Sequence, residues 1–228
     1  MIQQRNWVLS PSDFAFLWEE CKRCFYLKVV SRFYRPRPPM PKIFSSIDAQ
    51  MSSCVAGRRT ETIAAGMQPG TVEFGEQFVE SATISLPNHT TTCSIRGKFD
   101  SVIKFDDGTY GVIDFKTAER REEHIPLYGR QLHAYAYALE NPTPGSFSLK
   151  PITTLGLWVF EPAQFRCDQD GTASLHGRLP WIDVPRDDEA FTLFLDDVLR
   201  VLEFPRPPGG APSCEWCVYR DTSRRVGL

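Results

Sequence analysis

The sequence predicts an α/β fold in which a mixed central β-sheet is flanked by helices. Three observations predict it. Apolar residues recur at helical spacing toward both ends, the pattern changes to a period of two between Glu73 and Lys116, and a further helix and a wholly apolar strand follow. At 228 residues the chain can bury one sizeable core, so a single domain spanning 1–228 is expected. Within it, 1–44 and 204–228 form a cap around a 45–203 core.

In chain order, Ser10-Pro11 offers an N-cap and a first-turn proline, and Phe14, Leu17, Cys21 and Cys24-Phe25 follow at helical spacing, predicting a helix from about Pro11 to Val29. Tyr34 to Pro41 is too rich in proline to be helical and reads as an extended strap. A helix from Ser46 to Ala65 is expected next, capped by Ser45 or Ser46, with Asp48 in its first turn and Gly66 to Gly70 ending it. Alternation then predicts strands over Phe78–Leu86, Ser94–Phe105 and Tyr110–Lys116, the last two forming a hairpin around Asp106-Asp107-Gly108. Pro126 opens a helix that runs to about Glu140, before the breaker Asn141-Pro142-Thr143-Pro144-Gly145. Leu155–Phe160 is apolar on both faces, as a buried strand requires. One or two more polar strands fit between Arg166 and Ile182, and Asp187–Leu202 is an amphipathic helix. The Pro/Gly-rich segment Pro205–Pro212 packs as no regular element and leads to Cys214 and Cys217.

Composition narrows the function. With net charge -2 and pI near 6.1 the chain is no polycation, so a phosphate-rich partner must meet a local patch. Residues 1–42 supply one, with eight Lys or Arg against three acids. No apolar run approaches the roughly 20 residues needed to cross a bilayer, and the first residues lack a secretory core, so a cytoplasmic protein without a membrane partner is expected. Seven cysteines are an odd number, and four fall in the pairs Cys21-x-x-Cys24 and Cys214-x-x-Cys217, a spacing that lets two thiolates grip one ion. Cys54, Cys93 and Cys167 are left over and are expected to be buried apolar thiols.

The candidate chemistry lies in the middle of the chain. Residues two apart on a strand share a face, so Asp114 and Lys116 point one way while Ile113 and Phe115 point the other. Whether Asp100 joins them depends on the hairpin. A two-residue loop turns Asp100 away, whereas a three-residue loop, 106–108, sets position 100 opposite 114. The longer loop wants a left-handed third residue, and Gly108 stands there. Phe105 is therefore predicted to pair with Thr109, and Asp100 and Asp114 to converge on one divalent ion. Their carboxylates, with the carbonyl of Phe115 and waters, suit Mg2+ or Mn2+. Lys116 beside them can orient or help deprotonate an attacking water and offset charge growing on a phosphate.

The run Gly97-x-x-Asp100, Ile113-Asp114-Phe115-Lys116-Thr117 and Tyr128-x-x-Gln131-Leu132-x-x-Tyr135 resembles the RecB-type branch of the PD-(D/E)XK nuclease superfamily, including the CRISPR-associated and AddB-like iron-sulfur exonucleases. The resemblance implies a restriction-endonuclease-like core. It implies metal binding at Asp100 and Asp114, catalysis by Lys116, and positions beside the site for Gln131 and Tyr135, which share a helical face. Relatives often supply a histidine from the helix before the first strand. The helix expected from Ser46 to Ala65 has none, which leaves Asp48, Glu61 or Glu76 as substitutes and His124 as a weaker candidate.

Cys21-x-x-x-Phe25-Tyr26-Leu27 and Cys214-Glu215-Trp216-Cys217 resemble the ends of the iron-sulfur exonucleases, which implies a [4Fe-4S] cluster on Cys21, Cys24, Cys214 and Cys217; four thiolates equally suit a structural Zn2+. This chain would supply two ligands from each end, where those relatives supply one and three. The function so implied is a Mg/Mn-dependent deoxyribonuclease, an exonuclease on ends or single strands, serving DNA repair, recombination or defence with a helicase or recombination complex as partner. The alternative is a weak or inactive DNA-binding scaffold module, and a third reading is a zinc-stapled interaction protein.

Overall fold

The computed structural model describes residues 4–36, 39, 41–64, 66–117 and 122–227. Strands β1 (Asn6–Leu9), β2 (Gly70–Phe74), β3 (Gln77–Glu80), β4 (Thr92–Phe99), β5 (Ser101–Phe105), β6 (Tyr110–Thr117), β7 (Ile152–Cys167), β8 (Ala173–Arg178) and β9 (Trp181–Val184) form two sheets. One has the order β1-β4-β3; the other runs β2-β5-β6-β7-β8, with β9 also on β7. β6 and β7 are parallel and their other neighbours antiparallel, so the sheet is mixed, as the sequence predicts.

Around the sheets lie α1 (Trp18–Glu20), α2 (Lys22–Ser31), α3 (Lys42–Val55), α4 (Ile125–Glu140), α5 (Asp188–Leu202) and α6 (Glu215–Arg225). Period-two alternation assigns the strands' side chains to two cores. Val102, Val112, Leu155 and Leu157 face α4 and α5 with Leu132, Leu139, Val198 and Leu199; Ile103, Ile113, Phe115 and Trp158 face α3 with Met51 and Val55. β6 is thus buried on both sides, and whatever it carries at its C-terminal end is held rigidly.

Several boundaries depart from the sequence expectation, each for a local reason. The predicted Pro11–Val29 helix is broken: residues 13–17 form a π turn, and Cys21 is extended (φ -166°, ψ 103°) and caps α2. α3 starts at Lys42, where Ser45 and Ser46 donate their hydroxyls to the Lys42 carbonyl instead of capping the helix. It ends at Val55 because Gly57 turns left-handed (φ +72°) and hydrogen-bonds Val72, drawing the chain to β2; Ala65, the predicted end, lies outside the described residues. Arg37, Pro38 and Met40 of the strap also lie outside them, and its described residues form no helix or strand. The predicted Phe78–Leu86 strand stops at Glu80, where the Ser81 hydroxyl takes the amide of Ile95. The strand predicted over Leu155–Phe160 runs on to Cys167, its exposed half pairing with β8. β1, four residues long and unpredicted, joins β4 in parallel.

The β3–β4 turn is tied to α5 by a charge latch. His89 Nε2 lies 2.8 Å from Asp196 Oδ1 and its Nδ1 3.0 Å from Glu203 Oε2, while Glu203 also accepts the amides of Thr90 and Thr91 at 2.7 and 2.8 Å. Burial opposes the charged ring, yet the hydrogen bonds to Glu203 and Asp196 outweigh it and raise the His89 pKa. Burial likewise opposes the Glu203 anion, but His89 and the threonine donors hold its pKa down to about 2. A raised histidine contributes fully below its unfolded pKa and is lost as pH rises through the folded one; a depressed carboxylate contributes above its unfolded pKa and is lost as pH falls toward 2. The latch is therefore strongest from about pH 4.5 to 6.5. Denaturant unfolding across pH should show wild type losing stability above that window, and His89→Ala should flatten that limb.

Candidate nuclease and metal-binding site

The β5–β6 hairpin sets the geometry of the acidic site. Gly108 is left-handed (φ +86°), its amide bonds the Phe105 carbonyl, and the Phe105 amide bonds the Thr109 carbonyl at 2.9 Å. This is the three-residue loop. Ser101 then pairs with Ile113 and Val102 with Val112, so position 100 lies opposite 114. Asp100 sits at the break between β4 and β5, and its Oδ2 accepts the Phe115 amide at 2.8 Å.

Asp114 is 2 % exposed. Its Oδ1 accepts a hydrogen bond from Gln131 Nε2 at 2.9 Å, while its Oδ2 makes no hydrogen bond of good geometry and faces the ammonium of Lys116. Lys116 Nζ lies 4.9 Å from the Tyr128 ring centre. Tyr128 and Gln131 come from successive turns of α4, so one helix face completes the site. Burial, then the neighbouring Asp114 charge, push the Asp100 carboxyl up to about 7. Burial opposes the Lys116 charge, but the Asp114 carboxylate outweighs it and raises the pKa.

Two acids held together beside a lysine, one of them buried, have the donor chemistry of a hard divalent cation site, and Asp100 and Asp114 fit Mg2+ or Mn2+. Tyr135 plays a different part. Its hydroxyl donates to the Lys98 carbonyl at 2.7 Å, so it fixes the strand end that delivers Asp100, and the charges of Asp114 and Asp100 both act on it. Gly97 is required here, since a Cβ on it would lie 2.8 Å from Pro11 and 3.1 Å from the Tyr135 ring.

Of the substitutes for the absent histidine, Asp48 on α3 is the one beside the site: it accepts from Thr117 Oγ1 at 3.4 Å, burial raises its pKa, and the charges of Lys116 and Asp114 act on it. Glu61 is paired with Arg59 and Glu76 with Lys98. His124 packs edge-on against Phe16 and Tyr128.

A family model described as the PD-(D/E)XK nuclease superfamily matches residues 26–222. The chain belongs to the PD-(D/E)XK nuclease superfamily. A solved structure titled "Crystal structure of SSO0001" is similar at 15 % identity and a TM-score of 0.48, over 94 % of this chain and 84 % of that one. The search of curated proteins gave no match.

In this superfamily member the second site lies where the two ends of the chain meet. Cys21 and Cys214 are the N-caps of α2 and α6, and Cys24 and Cys217 stand three residues on in each first turn, so all four sulfurs gather at helix N-termini, where the backbone favours thiolates. The Cys21–Cys217, Cys24–Cys214 and Cys24–Cys217 sulfurs are 3.6, 3.7 and 3.6 Å apart, and all four lie within 4.8 Å of one another. Burial opposes the Cys21 thiolate, but the backbone hydrogen bonds at Ala211 and Cys24 outweigh it and draw its pKa down to about 6.

Four sulfurs at the corners of a tetrahedron with metal–sulfur bonds of about 2.3 Å stand about 3.8 Å apart, so these residues fit one ion. Four thiolates from two Cys-x-x-Cys pairs are equally the donor set of a [4Fe-4S] cluster. Two arginines complete the site: Arg35 Nη2 donates to Cys214 Sγ at 3.3 Å and Arg220 Nη2 to Cys217 Sγ at 3.6 Å. Arg35 belongs to the proline strap, and no motif or periodicity links that segment to the cysteines. Both arginines offset thiolate charge.

Proposed function

We propose that the chain is a Mg2+- or Mn2+-dependent deoxyribonuclease in which Asp100 and Asp114 hold the ion. The observation that carries the reading is the convergence of Asp100, Asp114 and Lys116 at the end of one hairpin, with Gln131 bonded to Asp114. A divalent ion held there would supply Lewis acidity toward the scissile phosphate and would make an attacking water easier to deprotonate. Lys116 beside Asp114 is placed to offset negative charge growing on the scissile phosphate and to orient an attacking water. Gln131 fixes the Asp114 carboxylate, Tyr135 fixes the approach of Asp100, and the Phe115 carbonyl is available as a further oxygen donor. Asp48 takes the place of the absent histidine.

The cysteines hold a single structural ion, Zn2+ by its preference for tetrahedral thiolates, supported by the sulfur separations. One domain over 1–228 is in keeping with an ion that ties residues 1–44 to 204–228. The basic N-terminal stretch favours a DNA end or single strand as substrate, in repair, recombination or defence beside a helicase or recombination complex.

The test uses labelled linear DNA, circular DNA and RNA with Mn2+ or with EDTA. Cleavage of linear DNA that needs Mn2+ is expected, and no metal-dependent cleavage of any substrate overturns the assignment. Elemental analysis of purified protein should give about one zinc per chain and no inorganic sulfide. Iron with equivalent sulfide would instead establish the cluster.

A further inference from the structure

Beside the cysteine site lies a cavity of about 360 Å3 that no step of the proposed cleavage uses. Its floor is Cys24 and Leu27 of α2, and its walls include Phe33, Trp216 and Tyr219. These rings remain open to solvent, at 56 %, 37 % and 72 % exposure, and they stand together at one cavity. Arg35, Arg220 and Arg224 stand around them. The surrounding sequence is cationic as well: residues 22–35 hold five Lys or Arg and no acid.

Exposed flat rings framed by guanidinium groups are the chemistry of a stacking platform for single-stranded nucleic acid, where rings take the bases and cations take the phosphates. A purely apolar occupant would leave that charge without a complement. Arg35 and Arg220 already face thiolates, so Arg224 at the rim is the cation placed to meet a phosphate.

We propose that this cavity binds an unstacked base of a single-stranded DNA segment, a role that rests on the nuclease reading above and gives the cysteine site a second purpose. The bound ion fixes α2 against α6 and so fixes the distance between Phe33 and the rings of Trp216 and Tyr219. The site would grip the strand on a surface separate from the residues that cut it.

The test is fluorescence anisotropy with a labelled single-stranded oligonucleotide, using the full chain with its own structural metal and no added Mg2+ or Mn2+. Tyr219→Ala should weaken binding roughly five- to a hundredfold, whereas Tyr219→Phe, which keeps the ring, should bind like wild type. Arg224→Gln should reduce the slope of log affinity against log salt by about 0.7. The exposure of Tyr219 makes misfolding of its variants a minor concern, and melting temperature checks it. Equal affinity for wild type and Tyr219→Ala, as when a protein side chain fills the cavity instead, overturns the proposal. Mn2+-dependent cleavage that persists beside such equal affinity leaves the nuclease reading standing. Ring-dependent binding without any cleavage does the reverse.

Discussion

Asp100→Asn is expected to abolish metal-dependent cleavage, by on the order of a thousandfold or more, while raising the melting temperature of the metal-free protein. The two effects have one cause. Asp100 is half-buried and lies against Asp114, and without a cation both factors penalise its charge, which is why its pKa is pushed up to about 7. The folded chain therefore binds a proton that the unfolded chain releases near pH 3.8, so the penalty grows as pH rises from about 4 to about 7. Metal-free wild type should lose stability across that window by a few kcal/mol, and the variant, whose amide oxygen can still accept the Phe115 amide, should not. A residue serving only to hold the hairpin together would lower the melting temperature when replaced. The check is thermal melting in EDTA at several pH values, beside cleavage rates in Mn2+.

Cys214→Ser is expected to release the structural metal and to lower stability substantially. The sulfurs of Cys24 and Cys214 meet across 190 residues, and on the chain-entropy scale used for cross-links a closed loop of that length is worth about 5 kcal/mol. Arg35, which donates to the Cys214 sulfur, would lose that partner, and the buried sulfurs of Cys21, Cys24 and Cys217 would lose their shared ion. For a chain of this length the melting temperature should fall by about 10–20 °C. Metal analysis and calorimetry on the same sample test it. Unchanged melting with metal retained would remove the staple.

The hairpin was legible because glycine's freedom at position 108 fixes the loop length, and loop length fixes which face Asp100 occupies. The cysteines were legible because their spacing is a ligand spacing whatever lies between the pairs. What escaped the sequence is settled by tertiary contacts. β1 is four residues long and exists because β4 offers an edge, and the helix interruption at Cys21 carries no glycine or proline signal. Tyr135 looked like a member of the chemical constellation because it shares a helix face with Gln131. Its hydroxyl also reaches the Lys98 carbonyl, which depends on how closely α4 approaches Gly97 and which no spacing in the sequence announces. Asp48 could not be separated from Glu61 and Glu76 until Arg59 and Lys98 were seen to occupy the latter two.

Calorimetric titration of Mn2+ into protein that retains its structural metal bears most directly on the shared ion at Asp100 and Asp114. Wild type should take up Mn2+ at a site that disappears in Asp114→Ala, with the zinc content of both proteins equal. Identical Mn2+ uptake by wild type and Asp114→Ala would contradict the account.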